Sequence, residues 1–257
     1  MSCIWKMSKS VALGISLVIH AGSVHAAPVT IVNSGFEDIS GESQNNEFTF
    51  GPLNGWDLYD PNGITAGGAG GTYFIGTLAP DPPTNFTSGA AEGQRVGIAF
   101  NFAGSGGQGE YGMQQTLSDT LQANSSYSLQ VEIGNIASGT AQNNQFFDLE
   151  GFPGYRIDLL AGGVVLTQDN NSLSGLIAEG EFGTSTIAFN TGNTHAQLGQ
   201  PLQIRLVNLN QVDPLFPAAN LEVDFDDVRL DVTSVPEPST LMGIGMFSLL
   251  IVRRRKS

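Results

Sequence analysis

The stretch Ser126-Tyr127-Ser128-Leu129-Gln130-Val131-Glu132-Ile133-Gly134 alternates polar and apolar residues without a break. Side chains of an extended strand point to opposite faces with a period of two, so Tyr127, Leu129, Val131 and Ile133 share one face. This spacing predicts a strand with that face in a core. Similar alternation over short runs, bounded by Gly, Asn, Asp and Ser, recurs at 29–32, 55–59, 72–75, 95–100, 113–117, 156–160, 164–168, 185–189, 202–209 and 221–232. No stretch between the two ends of the chain keeps helical spacing over three turns. Short strands joined by Gly-rich turns predict an all-β fold, most simply a β-sandwich wound as a jelly roll. Ala161-Gly162-Gly163, between two such runs, predicts a tight hairpin.

The two ends carry different physics. Lys6 and Lys9 precede an apolar stretch at 11–19, and Val24-His25-Ala26 places small residues at the −3 and −1 positions of a signal-peptidase site. Residues 1–26 are therefore expected to be a signal peptide cleaved after Ala26. The single cysteine, Cys3, falls inside it, so the mature chain is expected to have no disulfide and no thiolate ligand. At the other end, residues 235–257 read VPEPSTLMGIGMFSLLIVRRRKS. Pro236 and Pro238 remove two backbone donors and hold the segment extended. The apolar run at 241–252 spans about 18 Å as a helix, short of a hydrocarbon core of about 30 Å. Arg253, Arg254, Arg255 and Lys256 keep its end on the cytoplasmic side. On these residues the tail resembles the PEP-CTERM sorting signal of exopolysaccharide-producing Gram-negative bacteria. That resemblance implies recognition of Pro236-Glu237-Pro238 by an integral-membrane exosortase, transient residence in the inner membrane, removal of the tail, and delivery to the cell envelope, cell surface or extracellular matrix. An ordinary tail anchor is the alternative.

Between these ends, residues 27–234 read as one domain. It carries four arginines, no lysine and 23 acids, a net charge of −19. So acidic a surface argues against nucleic acid or anionic lipid as partner and favours cations and neutral glycans.

Asn33-Ser34-Gly35-Phe36-Glu37, Gly55-Trp56 and Phe225-Asp226-Asp227-Val228 occur in that order along the domain. They resemble the galactose-binding-like jelly rolls, including carbohydrate-binding modules of the family 4/9 type. The resemblance implies a structural calcium ion held by Glu37, Asp226 and Asp227; otherwise these acids simply face water at the sheet edge. A glycan site needs aromatic faces to stack on sugar rings, and Tyr111 and Tyr155, beside Gly-rich loops, are the candidates, with Trp56 either stacking or packed inside.

Catalytic groups are sparse. His195 is the one histidine of the domain, no Gly-x-Ser-x-Gly elbow occurs, and Gly104-Ser105-Gly106-Gly107-Gln108-Gly109 precedes a strand rather than the helix a dinucleotide site requires. Two carboxylates suffice for glycoside hydrolysis, and Asp148 with Glu150, or Glu179 with Glu181, have alternating spacing. The expectation is a non-catalytic, exported envelope or matrix protein that binds exopolysaccharide or another glycan. A structural matrix protein without a specific ligand, or a glycoside hydrolase, are the alternatives.

Overall fold

A computed structural model of the chain describes residues 26–65, 73–102 and 109–235. The expected signal peptide up to residue 25, the apolar segment at 241–252 and the sorting residues Pro236, Glu237, Pro238, Arg253, Arg254 and Arg255 lie outside the described residues.

The strands, in chain order, are β1 (Ala26–Pro28), β2 (Ser43–Asn45), β3 (Phe48–Phe50), β4 (Asp57–Tyr59), β5 (Tyr73–Leu78), β6 (Val96–Asn101), β7 (Tyr111–Thr120), β8 (Ser125–Asn135), β9 (Gly139–Thr140), β10 (Phe146–Phe147), β11 (Tyr155–Ala161), β12 (Val164–Asn170), β13 (Glu181–Asn190), β14 (Pro201–Asn208) and β15 (Leu221–Ser234). They form an eight-stranded sheet ordered β13-β8-β15-β6-β5-β3-β2, with β1 beside β15, and a five-stranded sheet ordered β12-β11-β14-β7-β4. β9 and β10 make a separate hairpin. The two large sheets face each other as a jelly-roll sandwich, all-β as the alternation predicts.

Alternation explains the packing. Leu129, Val131 and Ile133 of β8, with Val223 and Phe225 of β15, meet Met113, Ile157, Leu159, Ile204 and Leu206 of the opposite sheet. Each such side chain, fully buried, contributes about 1.5–3 kcal/mol of transfer free energy. Ala161 pairs with Val164 across Gly162 and Gly163, whose φ values of 57° and 81° fit a primed two-residue turn. At the sandwich edge the Tyr155 hydroxyl and the Ser185 hydroxyl both donate to Asp169 Oδ2, at 2.5 Å each, tying β11, β12 and β13 together.

β15 changes phase halfway. Val223 and Phe225 point into the sandwich, but so do Val228 and Leu230, because a bulge between Asp226 and Arg229 inserts one residue, with Asp227 at φ 46°. Before the bulge every residue of β15 is buried; after it, burial falls off. The first half is covered on its outer face as well. That cover is a second apolar cluster, Leu78, Phe86, Val96, Ile98, Phe100, Ile136 and Leu149, with Phe48, Phe102, Phe147 and Phe182 packed against it.

Candidate active site

A groove of about 750 Å³ opens over this outer face of the eight-stranded sheet. Its floor is Leu78 of β5, Ile98 and Phe100 of β6, and Glu222 of β15. One wall is the β2–β3 hairpin with Asn45, Glu47, Phe48 and Phe50. The other is the β9–β10 hairpin and its continuation, with Ala141, Gln145, Phe147 and Leu149, while Leu53, Trp56 and Leu58 close one end. The phenylalanines are set edge to face: Phe100 meets Phe102 at 4.8 Å and Phe147 at 5.8 Å, and Phe48 meets Phe147 at 6.3 Å. Such an interior suits a mostly apolar, aromatic ligand.

The β2–β3 wall is fastened to the sheet. The Thr49 hydroxyl donates to Glu42 and accepts the Thr77 N–H at 2.8 Å. Arg95 donates from Nε to the Thr77 hydroxyl at 2.9 Å and from Nη2 to the Glu47 carbonyl at 3.2 Å. Gly76 lets β3 cross close, since a Cβ there would lie 2.0 Å from the Thr49 carbonyl oxygen. The two walls are joined where Gln142 N–H donates to Glu47 Oε1 at 2.8 Å.

Glu222 is the chemically distinctive group of the floor. It is opposite Phe100 in the β15–β6 register, 7% exposed, and its carboxyl has no hydrogen-bond partner among the described residues. Burial pushes it up to about 8, so at neutral pH it is mostly a protonated acid facing an apolar groove. Strand geometry places Asp224 and Asp226 on the same face, each roughly 6.5–7 Å further along. Both Asp224 oxygens are buried without a partner among the described residues, and burial, followed by the charges of Glu222 and Asp226, holds this carboxyl well above the usual range. Asp226 is pushed up to about 7, chiefly by burial, although it accepts the N–H groups of Glu92 and Asp227 at 2.7 Å each.

The candidates read from the sequence fall elsewhere. Tyr111 and Tyr155 are 0% exposed and Trp56 is 2% exposed, all inside the sandwich core. The expectation that Tyr111 and Tyr155 stack on sugars is corrected by this burial: they sit on the inward phase of β7 and β11. Trp56 stacks on Phe36 at 5.5 Å and donates its indole N–H to the Asn33 carbonyl at 3.2 Å, so only its edge reaches the groove. Glu37 Oε1 accepts the N–H groups of Gln94 and Arg95, and Asp227 pairs with Arg229 at 3.1 Å. Glu37, Asp226 and Asp227 therefore do not converge, and among the described residues no group of three or more His, Cys, Asp or Glu is placed to hold a metal. Instead Glu92 Oε2 and Asp226 Oδ1 both look at Gly35, 2.5 and 3.8 Å from where its Cβ would be. Asp148, Glu150, Glu179 and Glu181 lie outside the groove.

A jelly roll with a phenylalanine-lined groove and a buried carboxyl on its floor has the shape and lining of a small-molecule site. The comparisons agree with that class. The HpiC1 cyclase family matches residues 27–231, and the chain belongs to this HpiC1-like family. A crystallised cyclase from Fischerella sp. TAU is 36% identical, covering 83% of this chain and 100% of that one, with a TM-score of 0.67. A Stig cyclase of the same source, in complex with (3Z)-3-(1-methyl-2-pyrrolidinylidene)-3H-indole, is 35% identical over 82% of this chain and 100% of that one, also at a TM-score of 0.67. A third structure, 36% identical over the same shares and with the same TM-score, holds 4-(1H-indol-3-yl)butan-2-one. A search of curated protein sequences gives no match. Residues 234–256 match the PEP-CTERM protein-sorting motif, which marks the chain for export to the cell surface or envelope.

The expectation of a non-catalytic body is thereby overturned, because the family is one of cyclases. Histidines, a nucleophile elbow and paired carboxylates are the signs of catalysis that a sequence displays. Acid catalysis in a dry groove needs only one carboxyl, and nothing in composition singles that one out.

Proposed function

We propose that the exported body binds a neutral, indole-like small molecule in the groove and cyclises it by proton transfer from Glu222. The observation carrying this is a buried carboxyl, Glu222, set opposite Phe100 on the floor of an aromatic groove, where burial favours its protonated form. Glu222 gives its proton to an electron-rich carbon of the ligand, a ring carbon–carbon bond forms to the resulting cation, and a proton lost from the ring system returns to the Glu222 carboxylate. The product is an isomer of the substrate. Phe48, Phe100 and Phe147 exclude water that would otherwise trap the cation and offer it their ring faces. The test is binding of 4-(1H-indol-3-yl)butan-2-one by the full-length chain, then chromatography of alkenyl-indole substrates after incubation. Glu222→Gln should bind the indole within about threefold of wild type yet lose at least about 100-fold in turnover. Undiminished turnover in that variant would sink the assignment.

Glycan binding is a second reading, favoured by the outer face of the five-stranded sheet. There Asp57, Gln114, Arg205, Asp158 and Gln168 form one cross-strand row, and the Arg205 guanidinium lies 4.0 Å over the Tyr59 ring. Glycan-array binding lost in Tyr59→Ala would support it. A structural calcium ion is best supported at the Gly35 corner by the Glu92 and Asp226 oxygens, and a fall in melting temperature on chelation is its test. Exosortase processing at Pro236-Glu237-Pro238 and transient membrane residence follow from the sorting motif; the mass of the native C-terminus tests both.

A further inference from the structure

Glu222 has a counterpart in the groove wall. Glu47 sits at the tip of the β2–β3 hairpin, is 8% exposed and lines the groove beside Phe48. Its Oε1 is taken by the Gln142 N–H, but its Oε2 is buried with no partner among the described residues. Arg95, the nearby cation, does not serve that oxygen. It donates to the Glu47 backbone carbonyl and to Thr77, and the charges acting on it are those of Glu42 and Glu37. The neighbouring wall offers Phe147 and the amides of Asn143 and Gln145, none of which bonds that oxygen. An acceptor oxygen without a donor is costly in such surroundings, so a ligand that supplies one gains selectively.

We propose that Glu47 reads an N–H on the ligand: Oε2 accepts the ring N–H of an indole-type molecule, and the groove thereby prefers ligands with a free N–H to N-alkylated ones. The assignment rests on the groove binding such molecules, as argued above. It gives the two groove carboxyls opposite tasks, Glu222 donating a proton and Glu47 accepting a hydrogen bond. Because Glu47 also clasps the opposite wall through Gln142, a seated ligand would be enclosed by the same residue that recognises it.

Isothermal titration of the full-length chain with 4-(1H-indol-3-yl)butan-2-one and with its N1-methyl derivative tests this directly. Wild type should bind the N–H compound at least about tenfold more tightly, as expected for a hydrogen bond to a buried acceptor that otherwise has none. In Glu47→Gln the amide oxygen can keep the Gln142 contact while the NH2 group faces the ligand, so the preference should shrink to within about twofold. Equal binding of both compounds by wild type overturns the role of Glu47 and leaves the groove standing, and this comparison needs no variant to fold. A tenfold preference surviving in Glu47→Gln also overturns it, since another group would then be the reader. If neither compound binds, the groove reading falls and this assignment with it.

Discussion

A carboxyl becomes an acid at neutral pH only where water is kept from its charged form, and Glu222 owes its raised value to burial beneath the hairpins above it. The rate consequence has a definite sign. With Glu222 titrating at about 8, kcat/KM should be flat from pH 6 to 7.5 and fall about tenfold per pH unit well above 8. A pH–rate profile checks this, and a plateau extending beyond pH 9 would contradict it. Glycine 76 offers a second single-residue test. Gly76→Ala places a methyl 2.0 Å from the Thr49 carbonyl, which cannot yield without moving β3, so melting temperature should drop by about 4–8 °C and indole binding should weaken with it. At this scale the sequence was least informative. Trp56, Tyr111 and Tyr155 were visible as aromatic residues, but whether an aromatic side chain faces inward depends on strand phase and cover, which single residues do not display.

At the scale of elements, β15 concentrates the energetics. Glu222, Asp224 and Asp226 alternate with Leu221, Val223 and Phe225, a pattern that ordinarily means one wet face and one dry one. Here the second face is dry too, because β2–β3 and β9–β10 fold across it. Those hairpins were not legible as strands: each is two or three residues long, too short for periodicity to register. A usable signal existed in Phe48, Phe50, Phe102, Phe146 and Phe147, apolar rings concentrated in apparent loops, where a second core is the physical explanation. The longer strands were all found, since four or more alternations define a phase. The bulge at Asp226–Arg229 is visible afterwards as a slip in that phase, from odd to even apolar positions. The linkage to pH follows from the ladder. Acids whose folded pKa is raised stabilise the fold below their unfolded values and lose that contribution as pH rises through about 7 for Asp226 and about 8 for Glu222. Glu110 works in the opposite direction, held low first by the hydrogen bond from Arg156, and its contribution is lost as pH falls through its depressed value. Thermal melts should therefore peak near pH 5 and decline by at least about 5 °C towards pH 8.5. Glu222→Gln should flatten that decline, and an unchanged slope would remove the ladder as its cause.

Across the whole molecule, the ends of the domain are joined in space. β1 pairs with the end of β15, Ala27 opposite Val232 and Pro28 opposite Asp231. The expected cleavage after Ala26 and the sorting motif from residue 234 thus flank two adjacent strand ends, Ala26 lying opposite Thr233. The groove is built without either strand end: its floor uses the first half of β15, before the bulge, and its walls come from residues 45–58 and 139–149. Processing at both ends should therefore leave stability and ligand binding intact, whereas trimming into the pair should not. A chain of residues 27–234 is expected to melt within about 2 °C of the full-length protein and to bind 4-(1H-indol-3-yl)butan-2-one equally well. Ending the chain at Val228 instead removes Leu230 from the core and the partner of Ala27, and should cost about 3 kcal/mol or more, read as a lower midpoint in urea. If the 27–234 chain were itself strongly destabilised, the sorting segments would be part of the folded unit, and removal of the tail would switch the protein off rather than release it.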